Sequence, residues 1–255
     1  MHRLLVENIL SGTGEFELSG EALRHLRVLR PEEGELFELF DGKGSAVRCR
    51  WHAAKSAFES APGEYSHERE RRTQKRSDMT LFACITKGSR WDWTIEKATE
   101  LGVGRIVPVV SQRTIVRIPK QERATKRERW LRVANDAARQ SSALWLPEIV
   151  EAVDFDEALE LARETKTFAG ALVDPEPEPL LCAIEREIAR DAHARLSIFT
   201  GPEGDFTPDE MSALLAFATP ASFGPLVLRA ETAAIYGLTV LAAALEAAQA
   251  KKRDL

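Results

Sequence analysis

Apolar and polar positions alternate with a period of two early in the chain and switch to strand-length and helix-length blocks later. Val6–Ile9 and Glu15–Leu18 alternate as half-buried strands do, and so do Glu35–Phe40 and Ala46–Trp51. The last two flank Asp41-Gly42-Lys43-Gly44, a hairpin-turn composition, and Ser19–Leu29 reads as a short helical piece. Together these predict a small β-barrel over residues 1–72. Residues 62–77 are poor in apolar side chains and carry the charge run Ser66–Arg76, which reads as a linker or exposed edge.

From Met79 the texture changes. Strands are predicted at Thr80–Ile85, Arg105–Val110, Phe168–Val173, Leu196–Thr200 and Ala221–Phe223. Helices are predicted at Trp91–Leu101, Glu122–Ser142, Phe155–Thr165, Leu180–Arg190, Pro208–Phe217 and Thr232–Ala248. Such alternation predicts a mostly parallel α/β sheet covered on both faces, in a domain over residues 77–250. Gly102 marks a helix end, and Thr207-Pro208-Asp209-Glu210 marks a helix start: a cap, a first-turn proline and a glutamate three residues after the cap.

Composition narrows the class. The 255 residues are 44% hydrophobic and 29% charged, as in soluble globular proteins. No uninterrupted apolar run approaches the roughly 20 residues of a membrane span, and Met1–Leu5 lacks the pattern of a secretory signal. Cys49, Cys84 and Cys182 are too widely spaced for a disulfide framework or a metal knuckle, so a cytoplasmic location is expected. The five histidines show no ligand spacing, and no metal is expected. The net charge of -5 argues against nucleic acid until it is divided: residues 86–139 carry +7 and residues 140–255 carry -11.

Two segments hold candidate chemistry. Ser197–Phe206 is a buried strand ending in the tight loop Gly201-Pro202-Glu203-Gly204-Asp205-Phe206. Crevices beyond the carboxyl ends of parallel strands bind ligands, and glycines let backbone amides approach closely. It is not a phosphate loop, since the G-x-x-x-x-G-K-[ST] pattern is missing. A plain strand-to-helix turn is the alternative. Phe223–Ala234 is a second strand-end loop, where Arg229 interrupts an apolar stretch and an ion pair with Glu231 or Glu203 is the structural alternative. Asp174–Pro179, rich in Pro and Glu, reads as a stiff acidic loop at another strand end, a surface spacer or, as the alternative, a border of the ligand site.

These segments resemble the RsmE family, SPOUT-class methyltransferases acting on N3 of a uridine in 16S ribosomal RNA. The family pattern G-P-E-G-G-F followed by a glutamate corresponds to Gly201–Phe206 with Glu210, and L-G-x-R-I-L-R-x-E-T-A corresponds to Phe223–Ala233. Lys87-Gly88 with Thr94–Lys97 and Glu100–Val103, and His25–Arg30 with Gly34 and Leu39–Gly42, match two further family segments in order. The resemblance spans residues 1–245. It implies a PUA-like RNA-binding barrel followed by a trefoil-knotted α/β domain, a homodimer, and S-adenosylmethionine (SAM) as cofactor with S-adenosylhomocysteine as product. Carried over, the cofactor residues are Thr200, Gly201, Gly204, Phe223, Gly224, Leu226, Val227, Leu228, Thr232 and Ala233. The implied partner is 16S rRNA or the small ribosomal subunit, with no membrane involved.

Uridine N3 carries a proton, so the site needs a base or a means of stabilising the anion. Arg229 is the candidate for anion stabilisation, and Glu203 or Glu231 for orienting it or accepting the proton. RNA contacts are expected from Arg24, Arg27, Arg30, Lys87, Arg90, Arg113, Arg123 and Arg127. Arg123, Lys126, Arg127 and Trp130 share one helix face, which reads as a phosphate-contact surface or a solvated amphipathic face. Trp91 and Trp93 read as base-stacking rings or core residues. The chain departs from the family pattern at Arg139 (a glutamate), Ala143 (an arginine), Asp205 (a glycine) and Leu226 (an arginine). The departures leave room for another RNA target or for a catalytically silent homologue that retains the fold.

Overall fold

Arg3 is a buried charge on the strand His2–Leu5. The structure is a computed structural model that describes residues 1–7, 18, 20–60, 71–73, 77–172 and 175–253. It divides into two units, 1–76 with 135–146 and 77–134 with 147–255. The return of 135–146 to the first unit is not contained in a sequence division at 72–77.

In the first unit β1 (His2–Leu5) pairs parallel with β2 (Leu36–Phe40), β2 pairs antiparallel with β3 (Ser45–His52), and β3 pairs with both β4 (Ala57–Ser60) and β5 (Arg71–Thr73). Helix α1 spans Gly20–Leu29. The expected barrel is corrected to an open sheet among the described residues. The eight-residue β3 divides its free edge between two short partners, and among the described residues β1 pairs only with β2. The first strand lies at His2–Leu5 rather than Val6–Ile9; residues 8–17, which include most of the predicted Glu15–Leu18 strand, fall outside the described residues. Asp41 makes the predicted turn, its Oδ1 accepting from the N–H groups of Lys43 (2.8 Å) and Ser45 (3.0 Å).

Alternation in β2 hides a buried charge. Glu38 is 1% exposed and accepts from Arg3 Nε at 2.7 Å. Arg3 lies 4.3 Å from the Phe40 ring centre and donates to the carbonyls of Ala138, Arg139 (3.3 Å) and Ala143 (3.0 Å). It therefore satisfies carbonyls around the C-terminus of a helix, where a cation is favoured. The side chain of Arg139 pairs with Asp136 one turn earlier.

The second unit is a parallel sheet in the order β12 (Thr219–Ala221), β10 (Lys166–Gly170), β11 (Leu196–Thr200), β6 (Thr80–Cys84), β7 (Arg105–Val110), β8 (Glu148–Ile149), with β9 (Val153–Asp154) also on β7. Its helices are α2 (Ser89–Glu100), α3 (Lys120–Ser141, whose residues from Asn135 belong to the first unit), α4 (Phe155–Ala162), α5 (Leu180–Arg190), α6 (Pro208–Leu215) and α7 (Ala230–Arg253). Alternate residues of β6 enter different cores: Leu81 and Ala83 join Trp91, Ile95 and Leu238, while Phe82 and Cys84 join Phe199, Phe206 and Leu214. This is the two-sided burial that near-continuous apolar strands require. The rings of Phe82 and Phe199 stack with centroids 5.3 Å apart. By length and composition α7 could cross a membrane, yet its Ala234, Leu238, Leu241 and Ala244 are buried in the first of these cores. Gly237 permits this approach, since a Cβ there would lie 2.6 Å from Ile198 Cγ2.

Candidate functional site

Three loops meet beyond the carboxyl ends of β10, β11 and β12, where a parallel sheet presents unpaired backbone groups. Between them lies a cavity of about 900 Å³. The loop after β11 begins at Gly201, where a Cβ would press on the ring of Phe206 at 3.1 Å. Asp205 N–H donates to Pro202 O at 3.0 Å, closing a turn, and Phe206 returns to the core against Phe155 and Phe199. Asp205 stands where the family pattern has a glycine and adopts a left-handed backbone, φ +58°. Its Oδ1 accepts from Phe206 N–H at 2.7 Å, a local bond that makes Asp and Asn the least unfavourable non-glycine residues there. α6 then starts as predicted: Thr207 Oγ1 accepts from Glu210 N–H (3.2 Å) and Glu210 Oε2 accepts from Thr207 N–H (3.0 Å).

The loop after β12 supplies the apolar wall. Phe223, Leu226, Val227 and Leu228 line the cavity, with Leu226 and Val227 73% and 80% exposed at its mouth. The acidic segment is a third wall and not a surface spacer. Ser222 N–H donates to Glu178 O (2.9 Å), Leu180 N–H donates to Ser222 O (3.0 Å), and Ser222 Oγ donates to Glu176 Oε1 (3.1 Å). Glu176 and Pro177 thereby face the cavity. Proline-rich stiffness at a strand end was the sequence signal for this wall; the pairing with Ser222 is a tertiary fact. Asp174, at the start of that segment, is outside the described residues.

Of the cofactor candidates, Thr200, Gly201, Phe223, Gly224, Leu226, Val227, Leu228 and Ala233 line the cavity, and Gly204 and Thr232 do not. Of the catalytic candidates, Arg229 and Glu203 line it and Glu231 does not. Arg229 is exposed and has no ion pair among the described residues, so the alternative of a structural pair with Glu203 or Glu231 is not seen there. Glu203 instead faces Arg90, 3.9 Å away, which also lines the cavity. Glu231 is 8% exposed in the first turn of α7, and its Oε2 is buried with no hydrogen-bond partner.

A family model described as RNA methyltransferase domain matches residues 73–242. The ribosomal RNA small subunit methyltransferase E of Synechocystis is 31% identical over 249 residues, covering 96% of this chain and 78% of that protein. The chain belongs to this methyltransferase E family. A solved member from Neisseria gonorrhoeae, bound to S-adenosyl methionine, is 27% identical with a TM-score of 0.73 and covers 99% of this chain and 97% of its own. A Legionella pneumophila protein solved with bound SAM is 28% identical with a TM-score of 0.77, covering 95% and 97%.

For a member of the methyltransferase E family the basic residues are placed unexpectedly. The helix face carrying Arg123, Arg127 and Trp130 is turned inward, which corrects its reading as a solvated face. Trp130 is buried against Trp91, the Arg123 side chain is 12% exposed and pairs with Asp154 at 2.6 Å, and Arg127 Nε donates to Ile149 O at 2.6 Å. Long arginine stems can cover apolar surface while their heads find polar partners at its edge, and here the partners are internal. Arg113 donates to the carbonyls of Gly204 and Phe206. Arg24, Arg27, Arg30 and Lys87 are exposed, as are Lys120 and Arg132. Trp91 is buried and Trp93 is exposed, so only Trp93 is open to a base.

Proposed function

We propose that the protein transfers a methyl group from SAM to N3 of a uridine in 16S rRNA. The observation that carries this reading is the cavity walled by Gly201–Asp205 and Phe223–Arg229 at the carboxyl edge of the sheet, in a chain of the methyltransferase E family. The cavity suits SAM chemically. Its volume is that of a small-molecule site, Leu226, Val227 and Leu228 offer apolar surface to an adenine, and loop N–H and C=O groups offer partners to its polar edge. Glu176 and Glu203 supply negative charge to match a cationic ligand. When bound, SAM supplies a methyl group already activated on a sulfonium, so the protein has only to orient and activate the nucleophile.

Arg229 has no ion pair among the described residues and stabilises negative charge on uracil O2 or O4 as N3 loses its proton. Glu203, steadied by Arg90, accepts that proton directly or through water. Glu231 acts from behind the site as a buried negative charge two residues from Arg229. RNA is held by the exposed bases Arg24, Arg27, Arg30, Lys87, Lys120 and Arg132, with Arg90 at the cavity. In the same reading the N-terminal unit is PUA-like, the C-terminal part is knotted, and the enzyme is a cytoplasmic homodimer whose second subunit covers Leu226 and Val227. An open cavity and an uncommitted Arg229 speak against a silent homologue. The test is mass spectrometry of 16S rRNA from a deletion strain, before and after incubation of its small subunits with protein and SAM. One missing 3-methyluridine, restored by the protein, is the expected result. A complete set of methyluridines in the deletion strain, or restoration at another atom, overturns the proposal.

A further inference from the structure

Arg113 opens the basic segment, and its charge reads as a phosphate contact. Its Nη1 donates to Gly204 O at 3.0 Å and to Phe206 O at 3.2 Å, the two carbonyls flanking the left-handed Asp205. The same segment makes a second tie: Gln112 N–H donates to Glu210 Oε1 at 2.7 Å, and the other oxygen of Glu210 caps the start of α6. Arg117 folds the segment onto itself, donating to Ser111 O at 3.1 Å and to Gln112 O at 2.5 Å. The connection after β7 thus grips the loop after β11 at Gly204, Phe206 and Glu210.

We infer that Arg113 is a positioning residue for the cofactor loop: its Nη1, shared between two carbonyls, holds the Gly201–Phe206 backbone in the shape that receives SAM. The inference rests on the reading that this loop receives SAM. The planar guanidinium brings Nη1 between two carbonyls on either side of a kink, a point that the differently shaped lysine stem reaches less well, while either cation serves for a phosphate. Arg113→Lys therefore separates the two roles. It keeps the charge and most of the stem, and it removes the planar group that places Nη1 between the two carbonyls.

The test measures SAM and S-adenosylhomocysteine affinity by calorimetry, and 16S rRNA affinity with its salt dependence, for the full-length wild type, Arg113→Lys and Arg113→Ala. Thermal midpoints check that each variant is folded. SAM affinity is expected to fall about tenfold in Arg113→Ala and by a smaller factor in Arg113→Lys, as loss of charge-assisted hydrogen bonds predicts. RNA affinity in Arg113→Lys, and its salt slope, are expected to stay within twofold of wild type. In steady-state assays KM for SAM rises while KM for RNA does not. If both variants bind SAM as wild type does, or if RNA affinity falls while SAM affinity holds, the inference is overturned. If Arg113→Ala does not fold, the lysine variant alone decides: unchanged SAM affinity overturns the inference. A wild type that binds no SAM refutes the cofactor reading itself, which the wild-type titration shows before any variant is examined.

Discussion

Asp205 is where this chain replaces a family glycine, and its geometry fixes what substitutions there should do. The left-handed backbone at φ +58° costs an ordinary L-residue about 1–2 kcal/mol. The bond from Phe206 N–H to Asp205 Oδ1 at 2.7 Å returns about 1 kcal/mol of that. Replacing Asp205 by Ala keeps the backbone demand and removes the acceptor, so the second unit should lose about 1–2 kcal/mol. Asp205→Gly relieves the strain, loses the bond, and adds about 0.5–1 kcal/mol of unfolded-chain entropy, so its net change should lie within about 1 kcal/mol of zero. Urea unfolding followed by tryptophan fluorescence reads the change, since Trp91 and Trp130 are buried in this unit. SAM affinity should follow the same order, Gly near wild type and Ala weaker, because the carbonyls flanking Asp205 belong to the loop that Arg113 grips. An alanine variant as stable as wild type, or a glycine variant less stable than alanine, would refute the reasoning.

Other outcomes follow from the same structure. Arg229→Ala should abolish methyl transfer while leaving SAM affinity within twofold and the unfolding midpoint unchanged, as calorimetry and an assay with labelled SAM would show; normal turnover removes Arg229 from the mechanism. Arg3→Ala takes the charge partner from Glu38 in a buried site and should cost about 3–5 kcal/mol, whereas Arg3→Met with Glu38→Leu should recover most of it in urea unfolding. Burial pushes the Cys49 and Cys84 thiols up to about 12, so at pH 8 a thiol reagent should modify exposed Cys182 alone until the protein is denatured. Rapid labelling of a second thiol in the native protein would contradict that burial.

Local pattern is enough to specify the parallel α/β unit, nearly all its elements, the cap at Thr207, and two of the three loops that wall the cavity. These are local matters: apolar runs of strand length, helical periodicity, and glycine or proline at strand ends act within a few residues. Of the ten residues that the family resemblance proposes for the cofactor, eight line the cavity, all of them in or beside the two strand-end loops. Tertiary structure decided everything that depended on what a charged side chain met. Arg3 is the buried partner of Glu38, 35 residues away in the chain. Arg113, Arg123 and Arg127, expected at an RNA surface, hydrogen-bond within the protein to Gly204, Phe206, Asp154 and Ile149. The acidic segment ending at Pro179 looked like a spacer and became a wall when Ser222 paired with it. A long cation carries the same formal charge whether it faces a phosphate, a carboxylate or a carbonyl, and only the packing of distant elements determines which of them lies within hydrogen-bonding distance.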